Sequence, residues 1–145
     1  MDYLNIQLPA SDGKNYKLSD FSGRKIVLYF YPKDNTSGCT MEAIEFTRLK
    51  EEYSKKGYLI VGVSRDSVKS HLSFINKQSL DLLLLSDENE ELVKAFDVIK
   101  EKSMYGRKYL GIERSTFILD EYGKIIKEYR SVNAKEHPAT LLCEL

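Results

Sequence analysis

The sequence predicts an α/β fold with a central mixed sheet flanked by helices. Residues 26–31 form an unbroken apolar and aromatic run, which is typical of a strand covered on both faces. The next segment repeats apolar side chains at helical spacing among charged ones: Ala43, Phe46, Leu49 and Tyr53. Strands and helices then alternate, which is the order found in α/β domains. We therefore expect one domain over residues 1–145.

A β-hairpin is expected before the central strand. Residues 4–8 and 14–18 flank the turn Asp12-Gly13, and glycine tolerates the positive φ of a tight turn. After the central strand, the helix that begins at Cys39 is expected to run to about Lys56, and Gly57 stops it, because glycine commonly follows a helix C-terminus.

The middle of the chain continues the alternation. Residues 58–64 predict a second buried strand, after which Asp66 or Ser67 can cap a helix. The expected inner stripe of that helix consists of three apolar residues: Val68, Leu72 and Ile75. His71 on the same helix is expected to be a solvated or hydrogen-bonded structural residue.

The next part of the chain adds a strand, a helix and a charged segment. Residues 82–85 predict the strand, and Asp87 is expected to cap a helix that presents Leu92, Val93 and Phe96. The segment 97–112 predicts a long surface loop. Four cations in it form either a basic rim or an ordinary solvated surface: Lys100, Lys102, Arg107 and Lys108.

A hairpin and a helix close the chain. Residues 115–119 and 124–129 predict the hairpin, with its turn at Gly123. Residues 134–145 predict a helix with Pro138 in its first turn and with two side chains facing inward, Leu141 and Leu142.

The composition argues against several partners and cofactors. Lys and Arg number 22 and Asp and Glu number 22, so no charge excess indicates nucleic acid or an anionic membrane surface. Two cysteines and no signal-peptide pattern predict thiols in a reducing, cytoplasmic compartment. Cysteines and histidines lack metal-ligand spacing, so neither a metal nor another cofactor is expected: Cys39, Cys143, His71 and His137.

Cys39 is the candidate reactive residue. Backbone N–H groups in the first turn of a helix lack intrahelical partners and carry the positive end of the helix dipole, so a thiolate is favoured there. A cysteine in this position can equally be a small, buried and inert residue. Its neighbours distinguish the two interpretations. Pro32, Thr36 and Cys39 are spaced as Pro-x-x-x-Thr-x-x-Cys, a specific pattern that favours the reactive one.

This spacing resembles the active-site signature of the peroxiredoxins, thiol peroxidases built on a thioredoxin-like fold. Further stretches over nearly the whole chain resemble the bacterioferritin-comigratory or peroxiredoxin Q branch: Asp12-Gly13, residues 18–21, 62–64, 85–87, 100–107 and 111–117. The resemblance implies a thioredoxin-like fold and an enzyme that reduces hydrogen peroxide and organic hydroperoxides.

The expected chemistry is attack of the Cys39 thiolate on a peroxide oxygen, which gives a sulfenic acid and water or an alcohol. A larger thiolate fraction alone adds little to the rate of this attack, because the nucleophilicity of the thiolate falls as the thiol becomes more acidic. Thr36 offers a hydroxyl that can accept and donate, and the N–H groups of Gly38 and Cys39 add donors. By the resemblance, Arg114 supplies the cation; its alternative is an ordinary surface charge.

Two neighbours support this expected site. Glu42, one turn beyond Cys39, is suited to orient the Arg114 guanidinium through a bidentate pair, and a solvated helix carboxylate is its alternative. Pro32 is expected to shield the site from water.

The chain also departs from this branch, in which many members carry a resolving cysteine five residues after the peroxidatic one. Ile44 occupies that position here, and Ser37 replaces the usual proline. We therefore expect a one-cysteine cycle with an external reductant: thioredoxin, glutaredoxin or a low-molecular-weight thiol. Cys143 is expected to be a packed structural thiol. A two-cysteine cycle with Cys143 resolving and a non-enzymatic peroxide sensor are the alternatives, and a monomer or weak homodimer is expected.

Overall fold

The computed structural model describes residues 2–145. The strands are β1 (Leu8–Pro9), β2 (Asn15–Tyr16), β3 (Lys25–Phe30), β4 (Tyr58–Ser64), β5 (Leu83–Ser86), β6 (Ile99–Met104), β7 (Arg107–Ile112), β8 (Ser115–Leu119) and β9 (Ile125–Tyr129). The α-helices are α1 (Ser37–Lys55), α2 (Val68–Gln78), α3 (Glu91–Ala95) and α4 (His137–Glu144).

Five strands form the main sheet, in the order β5-β4-β3-β8-β9. β3 pairs parallel with β4 and antiparallel with β8, while β4 pairs parallel with β5. The predicted central mixed sheet flanked by helices is therefore confirmed. β3 lies at its centre, and its residues from Ile26 to Phe30 are all buried.

The two faces of β3 pack into two different cores. Ile26, Leu28 and Phe30 face a layer that contains α3 and the N-terminal hairpin. Val27 and Tyr29 face the other layer, to which α1, α2 and α4 contribute. This division follows from the two-residue period of side chains along a strand. The end of β3 leads directly into the loop before α1.

The N-terminal hairpin is present, but its arms are shorter than predicted. Only Leu8–Pro9 and Asn15–Tyr16 pair as strands. The flanking segments Asp2–Asn5 and Leu18–Phe21 are 3-10 helices.

The prediction of a long surface loop over residues 97–112 is wrong. β6 and β7 pair antiparallel along their whole length and form a separate two-stranded sheet. Tyr105 and Gly106 make the turn with φ of 52° and 77°, the two positive φ values of a tight hairpin turn. Most side chains of β7 are exposed, so the segment lacks the apolar alternation by which a half-buried strand is identified.

The predicted inner stripe of α2 is wrong at Leu72. Leu72 is 45% exposed, whereas His71 and Phe74 are completely buried. Val68 and Ile75 are half-buried. The apolar pattern favoured Leu72 over a histidine, but His71 has buried hydrogen-bond partners that periodicity does not reveal.

Two predicted features of helix first turns are confirmed. Asp87 accepts hydrogen bonds from the N–H groups of Glu91 at 3.0 Å and Val93 at 2.8 Å, and so caps α3. Pro138 lies in the first turn of α4, although that helix starts later than predicted. Within residues 2–145, none of the helices combines the length and the apolar character required to cross a membrane.

Candidate active site

Cys39 is the third residue of α1. Thr36 precedes the helix as its N-cap, in extended conformation and without a side-chain capping bond. The first hydrogen bond of the helix runs from the Thr40 N–H to the Thr36 carbonyl at 2.9 Å. The N–H groups of residues 37–39 therefore have no acceptor inside the helix and are available to an anion or a peroxide oxygen. Cys39 itself is only 2% exposed.

Arg114 reaches Cys39 because of the pairing between β3 and β8. Phe30, the last residue of β3, pairs with Ser115, so Arg114 lies where the chain leaves β3 for α1. Its Nη2 donates to Cys39 Sγ at 3.3 Å, and its Nη1 donates to Glu42 Oε1 at 2.7 Å. The structure thus brings together a thiol, a guanidinium and a carboxylate.

Gly38 leaves space for this arginine. A Cβ at position 38 would lie 3.1 Å from Arg114 Nη2 and 3.6 Å from the Ala134 Cβ. A contact of 3.1 Å is tighter than most contacts that a Cβ makes. A side chain at position 38 would therefore displace the Arg114 guanidinium from the Cys39 sulfur, or it would push the loop at Ala134 away from α1.

Glu42 is completely buried rather than solvated, and the expected bidentate pair is absent. Its Oε1 accepts from Arg114, whereas its Oε2 has no hydrogen-bond partner among residues 2–145. Burial raises the pKa of Glu42 to about 7, although the charge and the hydrogen bond of Arg114 oppose that rise. Burial alone would lower the pKa of Arg114, but Glu42 and Cys39 together raise it, so the guanidinium stays charged.

Thr36 lies at the surface beside the first turn of α1. Its hydroxyl donates to the Lys33 carbonyl at 2.7 Å. Because that bond uses the single hydroxyl proton, Thr36 can offer a substrate only the lone pairs of its oxygen. Pro32, in the same loop, is half-buried.

Lys102 is a second cation close to this site, and it is one of the four for which the sequence allows either a basic rim or an ordinary solvated surface. Its Nζ donates to the Ile112 carbonyl at 2.6 Å, two residues before Arg114. Its side chain crosses Gly111, where a Cβ would lie 2.8 Å from the lysine Cδ. Burial lowers the pKa of Lys102, as does Arg114, while Cys39 acts in the opposite direction. Gly111 was the available signal, but it can be interpreted only once the β6–β7 pairing is known, because its register partner is Lys100 and the Lys102 side chain reaches it diagonally.

Cys143 is exposed, so its prediction as a packed thiol is wrong. The carbonyls of Leu142 and Leu145 accept hydrogen bonds from Lys56 Nζ, both at 2.9 Å. Cys143 therefore lies near the C-terminal end of α1, and the helix rises about 25 Å between Cys39 and that end. A disulfide needs Cα atoms within about 7 Å. Ile44, at the other expected resolving position, is 40% exposed.

Comparison with known proteins agrees with this geometry. The sheet, the helix-borne cysteine and its arginine define a class of thioredoxin-like thiol enzymes. The AhpC/TSA family profile matches residues 2–128, and the chain belongs to that family. Within the family it is a thiol-dependent peroxidase of the Bcp or peroxiredoxin Q branch.

Among residues 2–145, no group of three or more His, Cys, Asp and Glu side chains could hold a metal ion.

The relatives cover almost the whole chain. Peroxiredoxin Bcp of Bacillus subtilis is 47% identical over 138 residues, which span 95% of this chain and 88% of the relative. Peroxiredoxin Bcp of Xanthomonas campestris pv. campestris is 48% identical over 142 residues, 98% of this chain and 89% of the relative. A cysteine-to-serine mutant of Xanthomonas campestris peroxiredoxin Q gives a TM-score of 0.93 at 46% identity, and the match covers 98% of this chain and 90% of that structure.

Proposed function

We propose that this peroxidase reduces hydrogen peroxide and organic hydroperoxides at Cys39 in a one-cysteine cycle, with an external thiol as reductant. The observation that carries the proposal is the 3.3 Å contact between Arg114 Nη2 and Cys39 Sγ at the N-terminus of α1. A buried sulfur that receives a hydrogen bond from a guanidinium is suited to react as a thiolate.

In the oxidative step, the Cys39 thiolate attacks one peroxide oxygen. A sulfur–oxygen bond forms while the oxygen–oxygen bond breaks, and the departing hydroxide or alkoxide takes a proton to become water or an alcohol. Arg114 and the N–H groups of residues 37–39 stabilise negative charge on the two oxygens. The Thr36 oxygen accepts a hydrogen bond from the peroxide O–H and orients it.

Alkyl peroxide reduction is the activity studied in structures of the Xanthomonas campestris bacterioferritin comigratory protein, which is 46% identical to this chain. This similarity supports organic hydroperoxides as substrates here. The exposed apolar side chains of Met41 and Ile44, in the first turns of α1, are compatible with an alkyl group.

In the reductive step, an external thiol attacks the sulfenic acid, which releases water and forms a mixed disulfide. A second thiol then releases the Cys39 thiolate and leaves with the first as a disulfide. Two features support this cycle: residue 44 is isoleucine, and Cys143 lies near the far end of α1. Neither step requires the first turns of α1 to unwind.

Turnover by a Cys143→Ala variant tests the proposal. Peroxide loss is followed for many equivalents with thioredoxin and its reductase, with glutaredoxin and glutathione, or with dithiothreitol. We expect the variant to turn over repeatedly with at least one of them, as the unaltered protein does. A variant that stops after one equivalent where the unaltered protein continues would establish Cys143 as the resolving thiol. If both stop with every reductant, a single-use peroxide sensor is supported instead.

A further inference from the structure

Asp34 ties the loop before α1 to the elements around it. Its carboxylate is 1% exposed. It accepts a hydrogen bond from the Tyr31 hydroxyl at 2.6 Å, and one from the Ser70 hydroxyl at 2.8 Å. The Asp34 N–H donates to Asp66 Oδ2 at 2.8 Å. The loop is thereby fastened to the start of α2 and to the turn that follows β4.

His71 completes these contacts from α2. Its Nδ1 lies 2.7 Å from Asp34 Oδ2, and its Nε2 lies 3.0 Å from the Leu85 carbonyl oxygen. A carbonyl can only accept, so Nε2 carries a hydrogen. A neutral imidazole has one N–H, so the contact with Asp34 requires a second proton between Nδ1 and the carboxyl group.

This proton makes a hydrogen bond between His71 and Asp34, whose side chains are 0% and 1% exposed. The hydroxyl groups of Tyr31 and Ser70 also donate to the Asp34 carboxyl group. Removing one member of a buried hydrogen-bonded pair leaves the other without its partner, so the pair resists rearrangement.

The loop contains a strained residue that such an anchor can hold. Asn35, directly after Asp34, has a φ of 60°, in the left-handed region, which is unfavourable for residues with a side chain although asparagine tolerates it better than most. Strained residues persist where the surrounding structure fixes them. Asn35 is fixed on one side by Asp34. On its other side, Thr36 accepts the first hydrogen bond of α1.

We propose that His71 is a positioning residue for the peroxidase site. It acts through Asp34, which holds the loop of residues 32–36 so that Thr36 and the first turn of α1 face the peroxide. This inference rests on the proposed role of Cys39. The mechanism described above does not otherwise use His71, which is buried on α2.

Two isosteric variants separate positioning from mere stability. His71→Asn keeps an N–H donor near the place of Nδ1, toward Asp34, and His71→Gln keeps one near Nε2, toward Leu85. We expect H71Q to lose about 10- to 100-fold in kcat/KM for peroxide, because small misplacements of reacting groups have effects of that size. H71N should retain clearly more of the rate, although both variants melt at a lower temperature than the unaltered protein. Equal rates in H71N and H71Q would overturn the proposal.

A stability control and a direct measurement complete the test. Leu92→Ala lies in the core on the opposite sheet face and should lower the melting temperature without a matching loss of rate below the transition. A rate loss in L92A as large as that of H71Q would overturn the positioning role. In the unaltered protein, proton NMR should show a hydrogen-bonded proton between His71 Nδ1 and Asp34 that exchanges slowly with solvent, and its absence would refute the contact. Activity in Cys39→Ser would instead refute the proposed function.

Discussion

The two cysteines occupy opposite kinds of helix end. Cys39 lies in the first turn of α1 and is buried. The N–H groups around it have no acceptor inside the helix, and Arg114 Nη2 lies 3.3 Å from its sulfur. Cys143 lies in the last turn of α4, exposed, and the nearby Lys56 ammonium is bonded to backbone carbonyls. We therefore expect position in the fold, rather than the thiol itself, to determine which cysteine reacts.

Removing each thiol in turn should give the largest difference in the rate of peroxide consumption. We expect Cys39→Ser to reduce peroxide consumption to the uncatalysed background, because a hydroxyl is a far weaker nucleophile toward peroxide oxygen. Cys143→Ser should consume peroxide at the rate of the unaltered protein. Stopped-flow measurement of peroxide loss with excess reductant provides the check. Comparable losses in both variants would remove the distinction between the two helix ends.

Removing the cation should have the next largest effect. Arg114→Met is expected to lower the second-order rate constant for peroxide by about 10²- to 10³-fold, the usual loss for one charge-stabilising donor. Arg107→Met, at an exposed arginine of β7, is the matched control and should leave the rate constant unchanged. An unaltered rate in R114M would exclude the guanidinium from catalysis.

Glu42 should make the free energy of unfolding depend on pH. Burial raises the pKa of its carboxyl group from 4.5 to about 7, so the folded protein holds this proton over a range in which the unfolded chain has lost it. The folded state then binds more protons, and the Glu42 contribution to stability falls as pH rises from about 4.5 to 7.

The comparison with Glu42→Gln isolates this contribution. The difference in unfolding free energy, unaltered protein minus E42Q, should fall by about 3 kcal/mol across that pH range, since each pKa unit corresponds to about 1.4 kcal/mol. Urea unfolding at a series of pH values measures it. A constant difference would show that Glu42 is ionised in the folded state throughout the range.

Lys102 should produce the smallest effect. We expect Lys102→Met to lower the peroxide rate constant by about two- to fivefold, because its charge acts on Cys39 across a partly solvated distance. Added salt should shrink the difference between the variant and the unaltered protein. Lys108→Met on the same hairpin, where the lysine pairs with Glu101 at the surface, is the control. Equal losses in the two variants would indicate a general charge effect.

Local patterns predicted the parts of the fold that depend on neighbouring residues. The apolar run of β3 and the amphipathic stripe of α1 placed Cys39 in the first turn of a helix, because both signals lie within the segments themselves. The β6–β7 hairpin escaped prediction because its strands are mostly exposed and show no alternation.

Contacts between segments that are distant in the sequence could not be predicted from local patterns. Arg114 donates to a sulfur 75 positions earlier, and the pairing of β3 with β8 that permits this is not encoded in either segment alone. The resemblance indicated Arg114, but it did not reveal that Glu42 engages the arginine with only one oxygen. His71 is a similar case, because its partner Asp34 lies 37 positions away.

Identification of the oxidised cysteine tests the central claim most directly. The unaltered protein is treated with one equivalent of peroxide in the presence of dimedone, which traps sulfenic acids, and the modified residue is located by peptide mass spectrometry. We predict one dimedone adduct on Cys39, an unmodified Cys143 and an α1 helix that keeps its circular dichroism. An adduct on Cys143, or a disulfide between Cys39 and Cys143 in place of the adduct, would contradict the account.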